Sequence, residues 1–285
     1  MKFHQKPATY VGDLHLYVAD LGRSISFYEE VIGFSVLSLN ANKAVLTANG
    51  TSALLTIEQP SKVVDKLQTT TGLYHFALLL PTVKDFANIL RHFVQLNLKI
   101  GAADHLVSEA LYLEDPDGNG IEIYVDRDPS TWQWTNGEVA MTTDPLNFNQ
   151  LLSLTTNKPW AGLPADTVMG HIHLQVANLA ESKKFYVDGL GFKVVSHYGN
   201  HALFISDAGY HHHIALNTWA GEGIPVGGKD EVGITSYAIY YPTEEMREKA
   251  VERLLDLQFW VGEENGEVIT YDPSNIQLHL TIATV

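Results

Sequence analysis

Histidine stands out in this chain: 13 of 285 residues, with no cysteine at all. Several histidines sit in short apolar runs, where strand alternation sorts side chains by face. In GHIHLQV, His171, His173 and Gln175 share one side, opposite Ile172, Leu174 and Val176. In LYHFALLL, His75 lies with Ala77 and Leu79. In HHHIALN, His211 and His213 take one side, and His212 lies with Ile214 and Leu216. A phenol and a carboxylate are set out in the same way. Tyr112 opposes Leu111 and Leu113 in ALYLED, and Glu122 and Tyr124 oppose Ile121, Ile123 and Val125 in GIEIYV. Two imidazoles and one carboxylate with open positions form the donor set that holds non-haem Fe(II) for oxygen chemistry. Taken singly, each residue has a plainer reading: a strand histidine is more often a hydrogen-bonded structural residue, and Glu122 alone could be solvated. They gain weight by falling at equivalent positions of a repeat.

That repeat is visible by eye. Residues 26–34 read SFYEEVIGF and residues 184–192 read KFYVDGLGF. The same shift carries Gly12-Asp13-Leu14-His15-Leu16 onto Gly170-His171-Ile172-His173-Leu174, so the chain is a tandem duplication. A shorter repeat lies inside it. Gly72-Leu73-Tyr74-His75 opens a run ending at Pro81, and Gly233-Ile234-Thr235-Ser236 opens one ending at Pro242. With residues 10–18 and 169–177 these make four strand starts, each followed by a helical pattern. Ile25, Tyr28 and Ile32 mark the first, with Gly33 as its stop; Phe86, Ile89, Leu90 and Phe93 stripe the second, over about 83–97. The third spans about 179–190, stopped near Gly191, and the fourth about 243–257. Alternating stretches with turn signals follow each helix: Asn49-Gly50, Asp115-Pro116-Asp117-Gly118, Gly199-Asn200, Asp272-Pro273. The expected fold is α+β: four βαβββ modules in tandem, paired into curved mixed sheets around a cavity, with helices outside. Residues 1–127 would form an N-terminal pair and 168–285 a C-terminal pair. Residues 128–167, rich in Pro, Thr, Asn and Trp, would link them, packed through Trp132, Trp134 and Trp160.

Bulk properties narrow the function. The net charge of −15 argues against nucleic acid, whose phosphates would repel it. Without cysteine, disulfides, zinc–thiolate sites and thiol nucleophiles are excluded. No apolar run reaches the roughly 18–20 residues that span a bilayer, and the N-terminus lacks a signal-peptide core, so a cytoplasmic protein with no membrane partner is expected.

The segment Leu111-Tyr112-Leu113-Glu114-Asp115-Pro116-Asp117-Gly118-Asn119-Gly120-Ile121-Glu122 resembles the closing motif of the vicinal oxygen chelate superfamily. Within that superfamily the chain is most similar to extradiol dioxygenases of the catechol 2,3-dioxygenase type, over nearly its whole length. The resemblance implies that Glu122 is a metal ligand and that Tyr112 touches substrate. It makes His75 and His171 the ligand histidines and His213 the acid/base histidine. The DP-x-G turn alone recurs throughout the superfamily and carries little.

This chain departs from the two-domain pattern, in which the C-terminal half holds the whole site. That half supplies His171 but has Ser236 for the second histidine and Gln277 at the Glu position. Only pairing module two with module three gathers His75, Glu122 and His171. The competing set is Asp13, His75 and Glu122. The resemblance then implies Fe(II), with Mn(II) suited to similar ligands, opening a small aromatic diol with dioxygen beside its hydroxyls. His213 would move protons, Tyr112 would orient the substrate, and His105 is a further candidate for the same cavity. Family habit favours a homo-oligomer. The rivals are a glyoxalase-type isomerase or lyase, which wants a carboxylate from both participating modules, and a metal-free small-molecule binding protein.

Overall fold

The computed structural model describes residues 3–65, 69–155 and 159–284. Module one runs β1 (Tyr10–Tyr17), α1 (Leu21–Phe27), β2 (Ser35–Leu39), β3 (Lys43–Thr47) and β4 (Leu55–Glu58). Module two runs β5 (Gly72–Leu79), α2 (Val83–Gln95), β6 (Gly101–Asp104), β7 (Ser108–Glu114) and β8 (Gly120–Asp126). The connection carries a hairpin, β9 (Trp134–Thr135) and β10 (Glu138–Val139), and α3 (Phe148–Ser153). Module three is β11 (Val168–Gln175), α4 (Leu179–Lys183), β12 (Lys193–Tyr198), β13 (Ala202–Ser206) and β14 (Ile214–Asn217). Module four is β15 (Gly233–Tyr241), α5 (Glu244–Asp256), β16 (Val261–Glu264), β17 (Glu267–Tyr271) and β18 (Gln277–Ile282).

Local chemistry sets the helix ends. Thr82 and Thr243 cap α2 and α5 by accepting the amides of Asp85 and Met246. Helices α1 and α4 each loosen into a π-helical turn, Tyr28–Ile32 and Lys184–Gly189. Gly33 (φ 96°) and Gly191 (φ 97°) supply the left-handed residues that end them. The α2 stripe is buried as expected: Phe86, Ile89, Leu90 and Phe93 are fully covered. In the connection, Trp132 is buried and Trp160 stacks on His92, but Trp134 stays exposed on its short hairpin.

The modules pair across the halves. Antiparallel pairing of β5 with β11 builds one eight-stranded sheet, β12-β13-β14-β11-β5-β8-β7-β6. Pairing of β1 with β15 builds the other, β16-β17-β18-β15-β1-β4-β3-β2. Each sheet thus takes one module from either side of the 128–167 connection. Within each half, a buried tyrosine of the repeated segment ties consecutive modules together. Tyr28 donates to Asp115 (2.8 Å) and Tyr186 donates to Asp272 (2.7 Å), each aspartate opening a DP turn. The FY repeat is therefore a structural stitch. No helix among the described residues is long and apolar enough to cross a membrane.

Candidate metal centre and cavity

Register brings the donors together. On β5, Ala77 lies opposite Glu122 of β8 and opposite His171 of β11. Strands on either side of one strand stand roughly 10 Å apart, too far for direct contact between backbones. The alanine methyl leaves the space between them open, so the longer side chains lean in and meet. His75, two residues back along β5, projects from the same face. His75 Nε2 and His171 Nε2 stand 3.0 and 3.1 Å from the same oxygen, Glu122 Oε2. All three residues are buried, and their ligand atoms lie within 4.8 Å of one another.

The donor chemistry fits a divalent cation. Burial works against charge on Glu122, yet the flanking imidazoles hold its carboxyl well below the ordinary range. Burial lowers His171 to about 4. A carboxylate beside a neutral imidazole is the protonation state a metal requires. His75 Nε2 is buried and makes no hydrogen bond of acceptable geometry despite its distance from Glu122, so a ligand lone pair is left for an ion. Asp13 takes no part: it belongs to the other sheet and accepts from the Tyr240 hydroxyl at 2.9 Å.

Tyr112 lies opposite Glu122 across the β7–β8 pair. Burial and the nearby Glu122 charge raise its hydroxyl pKa well above the usual value, keeping it a phenol. His105 Nδ1 stands 2.6 Å from the Thr142 carbonyl, which can only accept, so this nitrogen carries the proton. With that single proton on the ring, Nε2 is left to accept from the Tyr112 hydroxyl at 2.7 Å. These two candidates form one unit on the cavity wall.

His213 does not reach the cavity. It is fully buried, with Nε2 3.1 Å from the Phe3 carbonyl and Nδ1 3.1 Å from Ser206 Oγ. The residue facing the cavity is His212, whose ring centroid is 4.1 Å from that of His171. Alternation misled here because His211–His213 precede β14 and lie outside any strand. The three consecutive histidines were the available signal; which one turned inward was not. His173 was also missed as a site residue, although its face was read correctly. It lines the cavity, and Asn217 Nδ2 donates to its Nε2 at 2.9 Å.

The cavity holds about 900 Å³. His75, Glu122, Tyr112, His105, His173 and His212 supply its polar wall, and Tyr74, Tyr198, Phe204 and Trp219 an aromatic flank. Tyr210 is not part of it; its hydroxyl is buried between Tyr124 (2.6 Å) and Asp126 (3.2 Å). Two glycines make room nearby. A Cβ on Gly120 would fall 2.1 Å from the Tyr74 carbonyl, and one on Gly170 2.0 Å from the Tyr124 hydroxyl.

The second sheet corrects one alignment. Opposite Ala238, the counterpart of Ala77, stands His279, while Gln277 lies opposite Ser236. His279 and not Gln277 therefore occupies the Glu122 position: the two DP turns are equally long, Asp115 and Asp272 each accepting the amide four residues on, and Ile276-Gln277 imitates Ile121-Glu122 out of register.

Comparison with known proteins agrees with the fold. A Bacillus subtilis (strain 168) protein named catechol-2,3-dioxygenase is 43% identical over 268 residues, covering 93% of this chain and 94% of that one. A crystal structure from Bacillus subtilis subsp. subtilis str. 168 superimposes with a TM-score of 0.68 at 13% identity, covering 98% of this chain and 86% of the other. Glyoxalase I from Zea mays does so with a TM-score of 0.56 at 18% identity, covering 97% and 93%. At such identities the likeness to solved structures concerns the fold. The family profile matches residues 10–123 and 168–272, and on that ground the chain belongs to the glyoxalase/bleomycin resistance protein/dioxygenase superfamily.

Proposed function

We propose that the protein is an Fe(II)-dependent extradiol dioxygenase that opens the ring of a catechol, with substituted catechols as its better substrates. The observation that carries this reading is the convergence of His75, Glu122 and His171 on one buried point beside a large cavity. His75, His171 and Glu122 would hold the metal. Bound there, ferrous iron would act as Lewis acid and as common template for the diol and dioxygen. The 43% identical relative named as a catechol-2,3-dioxygenase supports the same substrate class.

The chain's own residues supply the rest. His212 is the residue placed to take a proton from a catechol hydroxyl, in the role first expected of His213. Burial and the surrounding imidazoles lower its pKa well below the usual value, so it stands neutral and able to accept. Tyr112, its proton committed to His105, presents its remaining oxygen lone pairs for a substrate hydroxyl. His173, with Nε2 occupied by Asn217, keeps Nδ1–H as a donor. The cavity lies near the upper end of the roughly 300–1,000 Å³ range of small-molecule sites, far more than a bare benzenediol fills, and its aromatic flank suits an apolar ring substituent. The isomerase reading asks for a second carboxylate from module three, and β14 reads Ile214-Ala215-Leu216-Asn217. A metal-free binding protein would have no need of three converging buried donors.

Protein loaded anaerobically with Fe(II), then given catechol or an alkyl- or aryl-catechol and air, should develop the absorbance of a yellow ring-cleavage product, fastest with the substituted diols. Metal analysis should give close to one iron per chain. Iron bound without colour from any diol would overturn the reaction. The cytoplasmic setting and homo-oligomeric state belong to this reading as expectations; size-exclusion with light scattering tests the second.

A further inference from the structure

Beneath the cavity, two side chains the reaction above does not use, Asp126 and His211, form a line with His212. Asp126 ends β8, sharing its face with Glu122 and Tyr124. Its Oδ1 stands 2.8 Å from His211 Nε2, and His211 Nδ1 stands 2.8 Å from His212 Nδ1. His211 is fully buried, whereas the Asp126 side chain is 19% exposed and lines a separate surface cleft.

We propose that Asp126 and His211 are positioning residues that fix the ring orientation and tautomer of His212, making it a base by construction. A carboxylate can only accept, so His211 Nε2 carries a proton. With a single proton on the His211 ring, the other nitrogen, Nδ1, is bare. The short contact to it requires that His212 Nδ1 bring the proton. His212 is left with an unprotonated Nε2 as the nitrogen a cavity ligand can reach. The hydroxyl of Tyr210 adds a second hydrogen bond to Asp126 Oδ1 at 3.2 Å, holding the carboxylate in place. One strand thus carries both the metal-binding carboxylate, Glu122, and the carboxylate that orients the base. The arrangement extends aspartate–histidine orientation of a base by one further imidazole. It rests on the dioxygenase reading only for what His212 does, not for how the ring is held.

The two parts can be tested apart. Full-length protein labelled with ¹⁵N-histidine, without added metal, is examined by long-range ¹H–¹⁵N correlation, and His212 is identified by its loss in His212→Gln. The wild type should show His212 protonated at Nδ1 and bare at Nε2. Asp126→Asn and His211→Gln should each convert it to a mixture of tautomers. Nε2–H in the wild type, or an unchanged His212 pattern in Asp126→Asn, would overturn the proposal. In iron-loaded enzyme, Asp126→Asn should lower kcat on the order of 10–100-fold, with KM and iron content nearly unchanged, and Asp126→Glu should recover part of the loss. An equal fall in kcat and iron content would assign Asp126 a merely structural role. If the tautomer is as expected but no diol is cleaved, the dioxygenase reading fails and the positioning stands.

Discussion

On one sheet, His75, Glu122 and His171 converge around Ala77; on the other, Ser236 and His279 occupy the matching places around Ala238, and Asp13, the repeat counterpart of His171, falls in a register shift of β1. The correspondence reaches the next pair outward, His173 with Asn217 (2.9 Å) against His15 with Glu58 (3.2 Å). The backbones are nearly superposable in register, yet the second sheet gathers no metal cluster among the described residues. Its polar side chains have turned to private partners: Asp13 to Tyr240, His279 to Glu267 at 2.7 Å, Glu58 to both His15 and Lys43. They are also wetter, with side-chain exposures of 30% at His279 and 23% at His15, against 9% at His75 and 1% at His171. Register is thus sufficient to bring three positions together but not to make them a site. That takes donors without competing partners, in a place closed to water.

The sharpest way to break the comparison is to exchange roles between the sheets. His171→Ala should abolish iron binding and ring cleavage, while Asp13→Ala should leave both intact, as read by metal analysis and product absorbance. The reverse result would move the centre to the other sheet.

A second contrast concerns the buried aspartates of the two DP turns. Burial pushes Asp272 up to about 6 and raises Asp115 in the same direction. A carboxyl whose folded value lies above its unfolded value, about 4, binds its proton more tightly in the native state. Its contribution to stability is fully present below about pH 4 and is lost as pH rises toward about 6. Urea titrations from pH 4 to 7 should therefore show wild type losing on the order of 2–3 kcal/mol relative to Asp272→Asn. Asp115→Asn should show the same sign. A flat difference across that window would refute the linkage.

The smallest expected effect compares Gly170 with Gly12. Each added methyl would collide with a tyrosine, at 2.0 Å from the Tyr124 hydroxyl and 1.9 Å from the Tyr240 ring. Tyr124 is fully buried and tied to Tyr210, whereas Tyr240 is only partly covered and can swing aside. Gly170→Ala should cost about 1–3 kcal/mol, with weakened metal affinity at the adjacent His171, and Gly12→Ala under about 1 kcal/mol. Equal losses in thermal or urea unfolding would show that burial of the tyrosine does not decide the cost.

Much of this was legible in the residues. Period-two alternation in GHIHLQV and GIEIYV put His171, His173, Glu122 and Tyr124 on the polar face, and period-3.6 spacing found the buried stripe of α2. The repeat and its turns gave the modules. Three things were not legible. His212 and not His213 faces the cavity, since alternation carries no information for residues just outside a strand. His279 and not Gln277 corresponds to Glu122, a match hidden because Ile276-Gln277 imitates Ile121-Glu122 out of register with it. The tie between Tyr28 and Asp115 joins residues from different modules, and no local pattern links them.

The sequence by itself determined the parts: four modules, their polar and apolar faces, and donors of the kinds that hold a ferrous ion, because face and propensity are properties of neighbouring residues. Which modules lie side by side, which histidine turns inward, and which carboxylate stays dry were settled only by tertiary packing. Those outcomes depend on strand pairing between distant segments and on exclusion of water, and neither is encoded within a span of ten residues.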